Sequence, residues 1–335
     1  MKYKSSMKFK NFYWYIGIFI IVIIISIGNV VLGSTPNNTE ILTNLGVLHH
    51  IKILNMPSTQ VVANDIKSNL QPTPIVKFRK INNEVAEPSI TAQSALVVDF
   101  ETRDILYNKN GLNKYQLASI TKLLTAMVVI DEYKWGDDKY IAMTQTAFDT
   151  YGGNSLKVDE QFTVEDILRA SLMVSSNDAA QLLAESFGGT EEFITKMNKK
   201  AQDLGMQGSE FFNSHGLDQK PTSNYSTAGD IMKLTQDLYD NYPDLTEVLR
   251  QKEHILNTKS GQAIRVGNTN EMLNKDTQMI LGKTGLTDEA GETFSSVVSI
   301  KNRIVGIVVL KSAIGGYRFQ DTRNLIKWVE DNYEI

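Results

Sequence analysis

Hydrophobic residues follow two different periods along residues 93–335, and the order of these periods limits the possible folds. Ala95–Phe100 is a nearly continuous apolar run typical of a buried strand, and Ile105–Tyr107 begins a return strand. Strand patterns reappear near the end of the chain, at Gln278–Leu281, Phe294–Ile300 and Ile304–Leu310. The residues between the two groups of strands have helical periodicity instead.

A core-facing helix is predicted from residue 120, where apolar side chains recur at i, i+3, i+4, i+7 and i+8. Further helical segments are Val164–Met173, Ala179–Phe187, Glu191–Leu204, Thr227–Tyr239 and a closing helix over about 320–333. Strands, then helices, then strands again predict an α/β fold of the α+β type. We expect an antiparallel sheet flanked by helices, with an inserted all-helical subdomain.

A second constraint lies at the N-terminus, where no charged residue occurs between Lys10 and Glu40. Residues 11–33 are long enough to cross a hydrocarbon core of roughly 30 Å. Four lysines precede this run, so the positive-inside rule places residues 1–10 in the cytoplasm. The segment is either a retained transmembrane anchor or a cleaved signal peptide. We expect a single-pass protein of the cell membrane with an extracytoplasmic domain, or a secreted protein if the segment is cleaved.

Residues 34–92 are rich in Pro, Ser, Thr and Asn, which is typical of a linker, and we predict an extracytoplasmic stalk there. The predicted catalytic domain is residues 93–335. The chain has no Cys, which excludes disulfides, thiolate metal sites and thiol nucleophiles. A net charge of −4 argues against nucleic acid as a partner. No metal-binding motif stands out, and we expect neither a metal nor a cofactor.

A chain with these exclusions can still use an oxygen nucleophile activated by a neutral lysine. Ser119 and Lys122 lie three residues apart, which places them on one face of a helix. Burial of the lysine would lower its pKa and make it a base. The Ser-x-x-Lys motif is weak alone, because Ser5 and Lys8 match it too.

The next motif is Ser175-Ser176-Asn177, between two predicted helices. Ser175 is suited to relay a proton, and the Asn177 amide to bind a peptide carbonyl. Taken alone, these residue types are more typical of an ordinary helix cap.

The third motif is Lys283-Thr284-Gly285, directly after a predicted strand. Lys and Thr can bind a carboxylate, and Gly lets a substrate backbone approach the strand edge. Lys259-Ser260-Gly261 has a similar pattern but lies in a polar stretch that reads as a turn.

Together the three motifs, in this order and 56 and 108 residues apart, resemble those of penicillin-binding proteins and serine β-lactamases. The chain is most similar to the low-molecular-weight D-alanyl-D-alanine carboxypeptidases, serine peptidase family S11. Further stretches that carry the resemblance are Ser176-Asn177-Asp178-Ala179-Ala180, Ser214-His215-Gly216-Leu217-Asp218, Tyr225-Ser226-Thr227-Ala228 and Gly282-Lys283-Thr284-Gly285-Leu286-Thr287. The resemblance implies a β-lactamase/transpeptidase-like fold.

The resemblance also implies roles for individual residues. Ser119 is the implied nucleophile, Lys122 its base and Ser175 the proton relay. The implied substrate-binding residues are Asn177, Lys283, Thr284, Gly285, Leu286 and Arg318. Backbone N–H groups of Ser119 and Leu286 would form the oxyanion hole, and His215 is expected to be structural.

The implied reaction removes the terminal D-Ala from peptidoglycan stem peptides through a Ser119 acyl-enzyme, and β-lactams would acylate the same serine. A DD-endopeptidase uses the same residues and remains an alternative. A β-lactamase is the nearest enzymatic rival, but no Glu-x-x-Leu-Asn motif lies between Ser175 and Lys283, so we expect slow deacylation after penicillin. A non-catalytic β-lactam sensor or wall-binding module is a third alternative, disfavoured because Ser119, Lys122 and Lys283 are all present.

Overall fold

The computed structural model describes residues 77–81, 85–152, 156–219 and 221–335. The predicted cytoplasmic tail, the apolar segment 11–33 and residues 34–76 of the predicted stalk lie outside the described residues. Among the described residues, no helix is both long and apolar enough to cross a membrane.

The described chain combines short and long strands with helices. In chain order the strands are β1 (Arg79–Lys80), β2 (Ser94–Asp99), β3 (Ile105–Lys109), β4 (Lys114–Gln116), β5 (Tyr140–Ala142), β6 (Gln161–Thr163), β7 (Tyr225–Thr227), β8 (Glu253–Asn257), β9 (Ala263–Gly267), β10 (Met279–Thr287), β11 (Gly291–Ile300), β12 (Arg303–Ser312) and β13 (Tyr333–Glu334). The α-helices are α1 (Thr121–Glu132), α2 (Gln145–Phe148), α3 (Val164–Met173), α4 (Asn177–Ser186), α5 (Thr190–Asp203), α6 (Ala228–Asn241), α7 (Pro243–Arg250), α8 (Met272–Lys275) and α9 (Tyr317–Asn332). A 3₁₀ turn, Ala118–Ile120, leads directly into α1.

The central sheet has five strands in the order β10-β11-β12-β2-β3, and every neighbouring pair is antiparallel. Alternate residues of β2 enter different cores. Leu96 and Val98 pack in the larger core with the inserted helices, whereas Ala95 and Val97 pack in the core that contains α9. Because both faces are covered, β2 is a continuous apolar run rather than an alternating one. The predicted α+β architecture is confirmed.

The inserted helices surround α1, whose residues from Thr121 to Val129 are all buried. The prediction of Val164–Met173 agrees with α3 at both ends. Thr163 caps this helix, because its side chain accepts a hydrogen bond from the Asp166 N–H. The Ser-x-x-Lys motif lies at the N-terminal end of α1, where the 3₁₀ turn packs against β10 and β11 of the sheet.

The packed domain begins before residue 93, the predicted boundary. Strand β1 pairs with β13, and Phe78 is buried against Tyr333 in the α9 core. Trp328 Nε1 donates a hydrogen bond to the carbonyl of Ala86 (2.8 Å). The described residues from 77 to 92 thus belong to the fold rather than to a stalk. The partners of Phe78, β1 and Ala86 lie more than 200 residues away, so local composition gave no indication of this packing.

Candidate active site

The 3₁₀ turn and the first turn of α1 present Ser119 and Lys122 together. Ala118, just before the serine, has a left-handed backbone (φ 48°). The turn packs against β10, the edge strand of the sheet. Gly285 makes this approach possible, since a Cβ there would lie 2.9 Å from the Leu117 carbonyl oxygen. The nucleophile candidate is consequently held beside a strand edge.

The Lys122 amine has three partners. It is fully buried, and its Nζ lies 2.8 Å from Ser119 Oγ. Nζ also donates to Asn177 Oδ1 and to the His215 carbonyl oxygen, both at 2.6 Å. A neutral amine has two N–H groups and one lone pair. If the two carbonyl oxygens take the N–H groups, the lone pair is left for the Ser119 hydroxyl.

The surroundings favour that neutral amine. Burial is the main cause that lowers the pKa of Lys122 well below its ordinary value, and the positive charge of Lys283 lowers it further. Asp178 acts in the opposite direction, more weakly. This lowered pKa favours the neutral amine that a general base needs.

Asn177 opens α4 and is fixed at both ends of its amide. Its Oδ1 accepts from Lys122, and its Nδ2 donates to the Tyr151 carbonyl oxygen (2.7 Å). Asn177 thereby ties the inserted helices to the lysine at the base of the site.

Ser175 lies in the bend between α3 and α4 with a left-handed backbone (φ 63°). Its Oγ lies 2.8 Å from Lys283 Nζ. The ordinary helix-cap interpretation of Ser175 does not apply, because Ser176 occupies the N-cap of α4 and its hydroxyl donates to Asp178. Ser175 instead joins the second motif to the third.

Lys283 is the second buried lysine, with only 1% of its surface exposed. Burial first, and the charge of Arg318 second, lower its pKa to about 7. Its neighbour Thr284 shares a hydrogen bond of 2.7 Å with the hydroxyl of Thr269. Lys283 is therefore partly protonated near neutral pH.

Arg318 comes from the first turn of α9. Its Nη1 donates to the Gly285 carbonyl oxygen (2.6 Å), and its Nη2 lies 3.1 Å from Glu292 Oε1. The guanidinium thus contacts β10 and brings positive charge to the strand that the Ser119 turn also contacts. Arg318 follows β10 in the sequence, whereas Ser119 precedes it.

A cleft of about 350 Å³ is lined by Ser119, Ser175, Asn177, Thr269, Thr284, Gly285, Leu286, Arg318 and Phe319. Half of Leu286 is exposed. Lys122 and Lys283 lie behind this lining and reach it through Ser119 and Ser175. The structure brings all nine sequence-predicted site residues to one place, although they come from four separate parts of the chain.

His215 contributes through its backbone carbonyl rather than its ring. Burial is the main cause that lowers the pKa of the imidazole to about 3, so the ring is neutral. Its Nδ1 accepts a hydrogen bond from the Leu217 N–H (3.1 Å). Lys259-Ser260-Gly261 lies in the β8–β9 turn, where the Lys259 amine binds Gln161. The Ser5–Lys8 match lies outside the described residues.

Sequence reasoning missed Thr269, Glu292 and Phe319. Thr269 and Phe319 belong to no motif, and Glu292 reaches the site only through Arg318. Across the described ranges, no group of three or more His, Asp or Glu side chains could hold a metal ion.

Comparison with known proteins agrees with this geometry. A family model for D-alanyl-D-alanine carboxypeptidase, Peptidase_S11, matches residues 81–313. The chain is 33% identical over 250 residues to a D-alanyl-D-alanine endopeptidase of Escherichia coli (strain K12), covering 73% of this chain and 79% of the relative. It is 28% identical over 248 residues to D-alanyl-D-alanine carboxypeptidase DacF of Bacillus subtilis (strain 168), covering 72% and 63% of the two chains.

Solved structures give the same result. Penicillin-binding protein D2 from Listeria monocytogenes, in its cefotaxime-bound form, superimposes with a TM-score of 0.65 at 28% identity. The match covers 73% of this chain and 99% of that one. The fold is therefore that of penicillin-binding and transpeptidase proteins, and the chain belongs to peptidase family S11, the D-alanyl-D-alanine carboxypeptidase family.

Proposed function

We propose that the protein is a serine-type D-Ala-D-Ala carboxypeptidase that removes the terminal D-Ala from peptidoglycan stem peptides. The observation that carries the proposal is the environment of the Lys122 amine, 2.8 Å from Ser119 Oγ with two carbonyl oxygens as its other partners. This arrangement is suited to a hydroxyl nucleophile with an amine base.

In the first step, Lys122 accepts the Ser119 proton while Oγ attacks the carbonyl carbon of the penultimate D-Ala. The backbone N–H groups of Ser119 and Leu286 stabilise the oxyanion. The carbon–nitrogen bond then breaks. The proton taken by Lys122 reaches the leaving D-Ala amine by way of the Ser175 hydroxyl.

In the second step, water attacks the acyl-enzyme and the D-Ala ester of Ser119 is hydrolysed. Lys122 takes the proton from the water and returns it to Ser119 Oγ. The shortened peptide leaves with a new carboxylate, and the enzyme regains its starting state.

The substrate carboxylate is bound at the other end of the cleft, by Lys283, Thr284 and Arg318. Because β10 is an edge strand, an extended peptide can lie along it, and Gly285 leaves room for its backbone. Asn177 binds a carbonyl group of the peptide. β-Lactams acylate Ser119 in the same cleft and are released slowly.

DD-endopeptidase activity is the second candidate, and the 33% identity to an endopeptidase favours it. The two activities differ in the leaving group: a free D-amino acid, or a neighbouring stem peptide. Residues 34–335 are incubated with a peptide ending in D-Ala-D-Ala and with a cross-linked muropeptide dimer. Free D-Ala is measured by chromatography, and Ser119→Ala is the control.

Release of D-Ala that is lost in Ser119→Ala supports the carboxypeptidase. Cleavage of the dimer alone assigns the endopeptidase instead. No cleavage of either substrate, or cleavage that persists in Ser119→Ala, refutes both. For the whole chain we propose an anchor or signal segment at residues 11–33, with the peptidase domain outside the membrane.

A further inference from the structure

Glu292 is a buried acid next to the cleft that the proposed reaction does not use. It lies on β11, and only 3% of its surface is exposed. Its two carboxylate oxygens accept hydrogen bonds from the backbone N–H groups of Gly315 (3.0 Å), Gly316 (2.8 Å) and Arg318 (3.0 Å). It also forms the 3.1 Å ion pair with the Arg318 guanidinium.

These contacts fix Arg318 from two directions. Glu292 is the antiparallel partner of Leu286, a residue that lines the cleft. While Glu292 binds one end of the guanidinium, the Gly285 carbonyl oxygen accepts from the other end (2.6 Å). The arginine is therefore held between β10 and β11 with its charge at the cleft.

Glu292 stays charged in this position. Burial raises the pKa of a carboxyl group, but the N–H groups of Arg318 and Gly316 outweigh burial and lower the pKa to about 2. The acid also lies at the beginning of α9, where the helix dipole favours a negative charge. Glu292 does not line the cleft, and its carboxylate reaches the lining through the Arg318 guanidinium.

We propose that Glu292 is a positioning residue that sets the enzyme's selectivity for substrates with a free terminal carboxylate, by holding Arg318 at the strand edge. This inference rests on the proposed function. Without the acid, the first turn of α9 loses the acceptor of its N–H groups, and the guanidinium loses the partner that orients it.

The test compares a peptide ending in D-Ala-D-Ala with the same peptide amidated at its C-terminus. In Glu292→Gln we expect KM for the carboxylate peptide to rise about tenfold, the size of one misplaced charge-assisted hydrogen bond. We expect kcat to change less, and kcat/KM for the amide to stay at the unmodified enzyme's value. The preference for carboxylate over amide should therefore fall about tenfold.

Asp321→Asn is the matched control. Asp321 is also a buried acid, but it lies on α9 and its carboxylate binds Thr91 and Ala92, which do not line the cleft. It should lose stability without losing selectivity. In an Arg318→Gln background, Glu292→Gln should cause no further loss of selectivity, because the acid acts through the arginine.

If Glu292→Gln does not fold, Glu292→Asp replaces it, since it keeps the charge but withdraws it by one methylene. We expect the same direction of change. Unaltered selectivity in a folded Glu292 variant, or an equal loss in Asp321→Asn, overturns the inference while the proposed function stands. An unmodified enzyme that cleaves neither peptide refutes the proposed function itself.

Discussion

Replacement of the Lys122 amine by a thioether tests the proposed base most directly. Lys122→Met has a similar length and apolar stem but no nitrogen. The substitution removes the amine that lies 2.8 Å from Ser119 Oγ. Among the described residues, this amine is the only hydrogen-bond partner of that hydroxyl. The substitution leaves the backbone of the 3₁₀ turn, and with it the Ser119 N–H, in place.

The size of the effect follows from what is lost. General-base help is worth about 10²–10⁴-fold in rate, or about 3–5 kcal/mol of activation free energy. Asn177 Oδ1 and the His215 carbonyl also lose their 2.6 Å donor, so some misplacement adds to the loss. We therefore expect acylation to slow by at least about 10²-fold.

Acylation by a fluorescent penicillin isolates this step, because a slowly released adduct accumulates on the serine. The rate is measured by stopped flow, and the adduct is located by mass spectrometry. Lys259→Met is the matched control. Lys259 belongs to the similar triplet in the β8–β9 turn, and its amine donates a hydrogen bond to Gln161, away from the cleft. This variant should acylate at the unmodified rate.

The reasoning fails if folded Lys122→Met acylates within tenfold of the unmodified protein. It also fails if the adduct forms on a side chain other than Ser119. An arginine at 122 offers a further check: Arg remains charged and cannot act as a base, so Lys122→Arg should be as slow as Lys122→Met.

Three other predictions concern backbone space and pH. Gly216→Ala should slow acylation and lower the thermal unfolding temperature, because its Cβ would lie 1.9 Å from the Ala118 carbonyl oxygen. Gly136→Ala is the control: Gly136 has a similar positive φ but open space around it, so this variant should not slow acylation. The pKa of His215 falls from 6.5 unfolded to about 3 folded, so the unfolded chain takes up the proton first and stability falls as pH drops through that window. When the pH is lowered from about 7.5 to 5, the free energy of unfolding measured in urea should fall by about 2 kcal/mol more in the unmodified protein than in His215→Gln. Because the pKa of Lys283 is about 7, its charge is lost above that pH, and kcat/KM for the carboxylate peptide should decline there while that for the amide peptide does not.

The fold was largely predictable, because the long strands and helices have clear hydrophobic patterns in the sequence. The continuous run of β2 and the helix α3 are examples, and both bury nearly all their residues. The β8–β9 hairpin was missed, since only one residue of each strand is buried and the sequence gives little pattern. Short strands on an exposed surface are held by their partners rather than by local preference.

The site was predictable where its residues are contiguous in sequence. Ser119 with Lys122, and Lys283 with Thr284, are local motifs whose spacing already implies contact. Glu292 was not predictable, because its importance depends on the register between β10 and β11 and on where α9 begins. No local signal reports a carboxylate whose partners are three backbone N–H groups on another element.

The two buried lysines look alike in sequence but have different proton affinities, and the difference follows from their neighbours. Lys122 is buried among carbonyl oxygens, and the charge of Lys283 opposes its protonation. The charge of Arg318 in turn opposes protonation of Lys283, although Glu292 offsets that charge through its ion pair. A substrate carboxylate that enters beside Lys283 and Arg318 would favour the charged form of Lys283. A charged Lys283 in turn opposes protonation of Lys122, so the protonation states of the two lysines depend on each other.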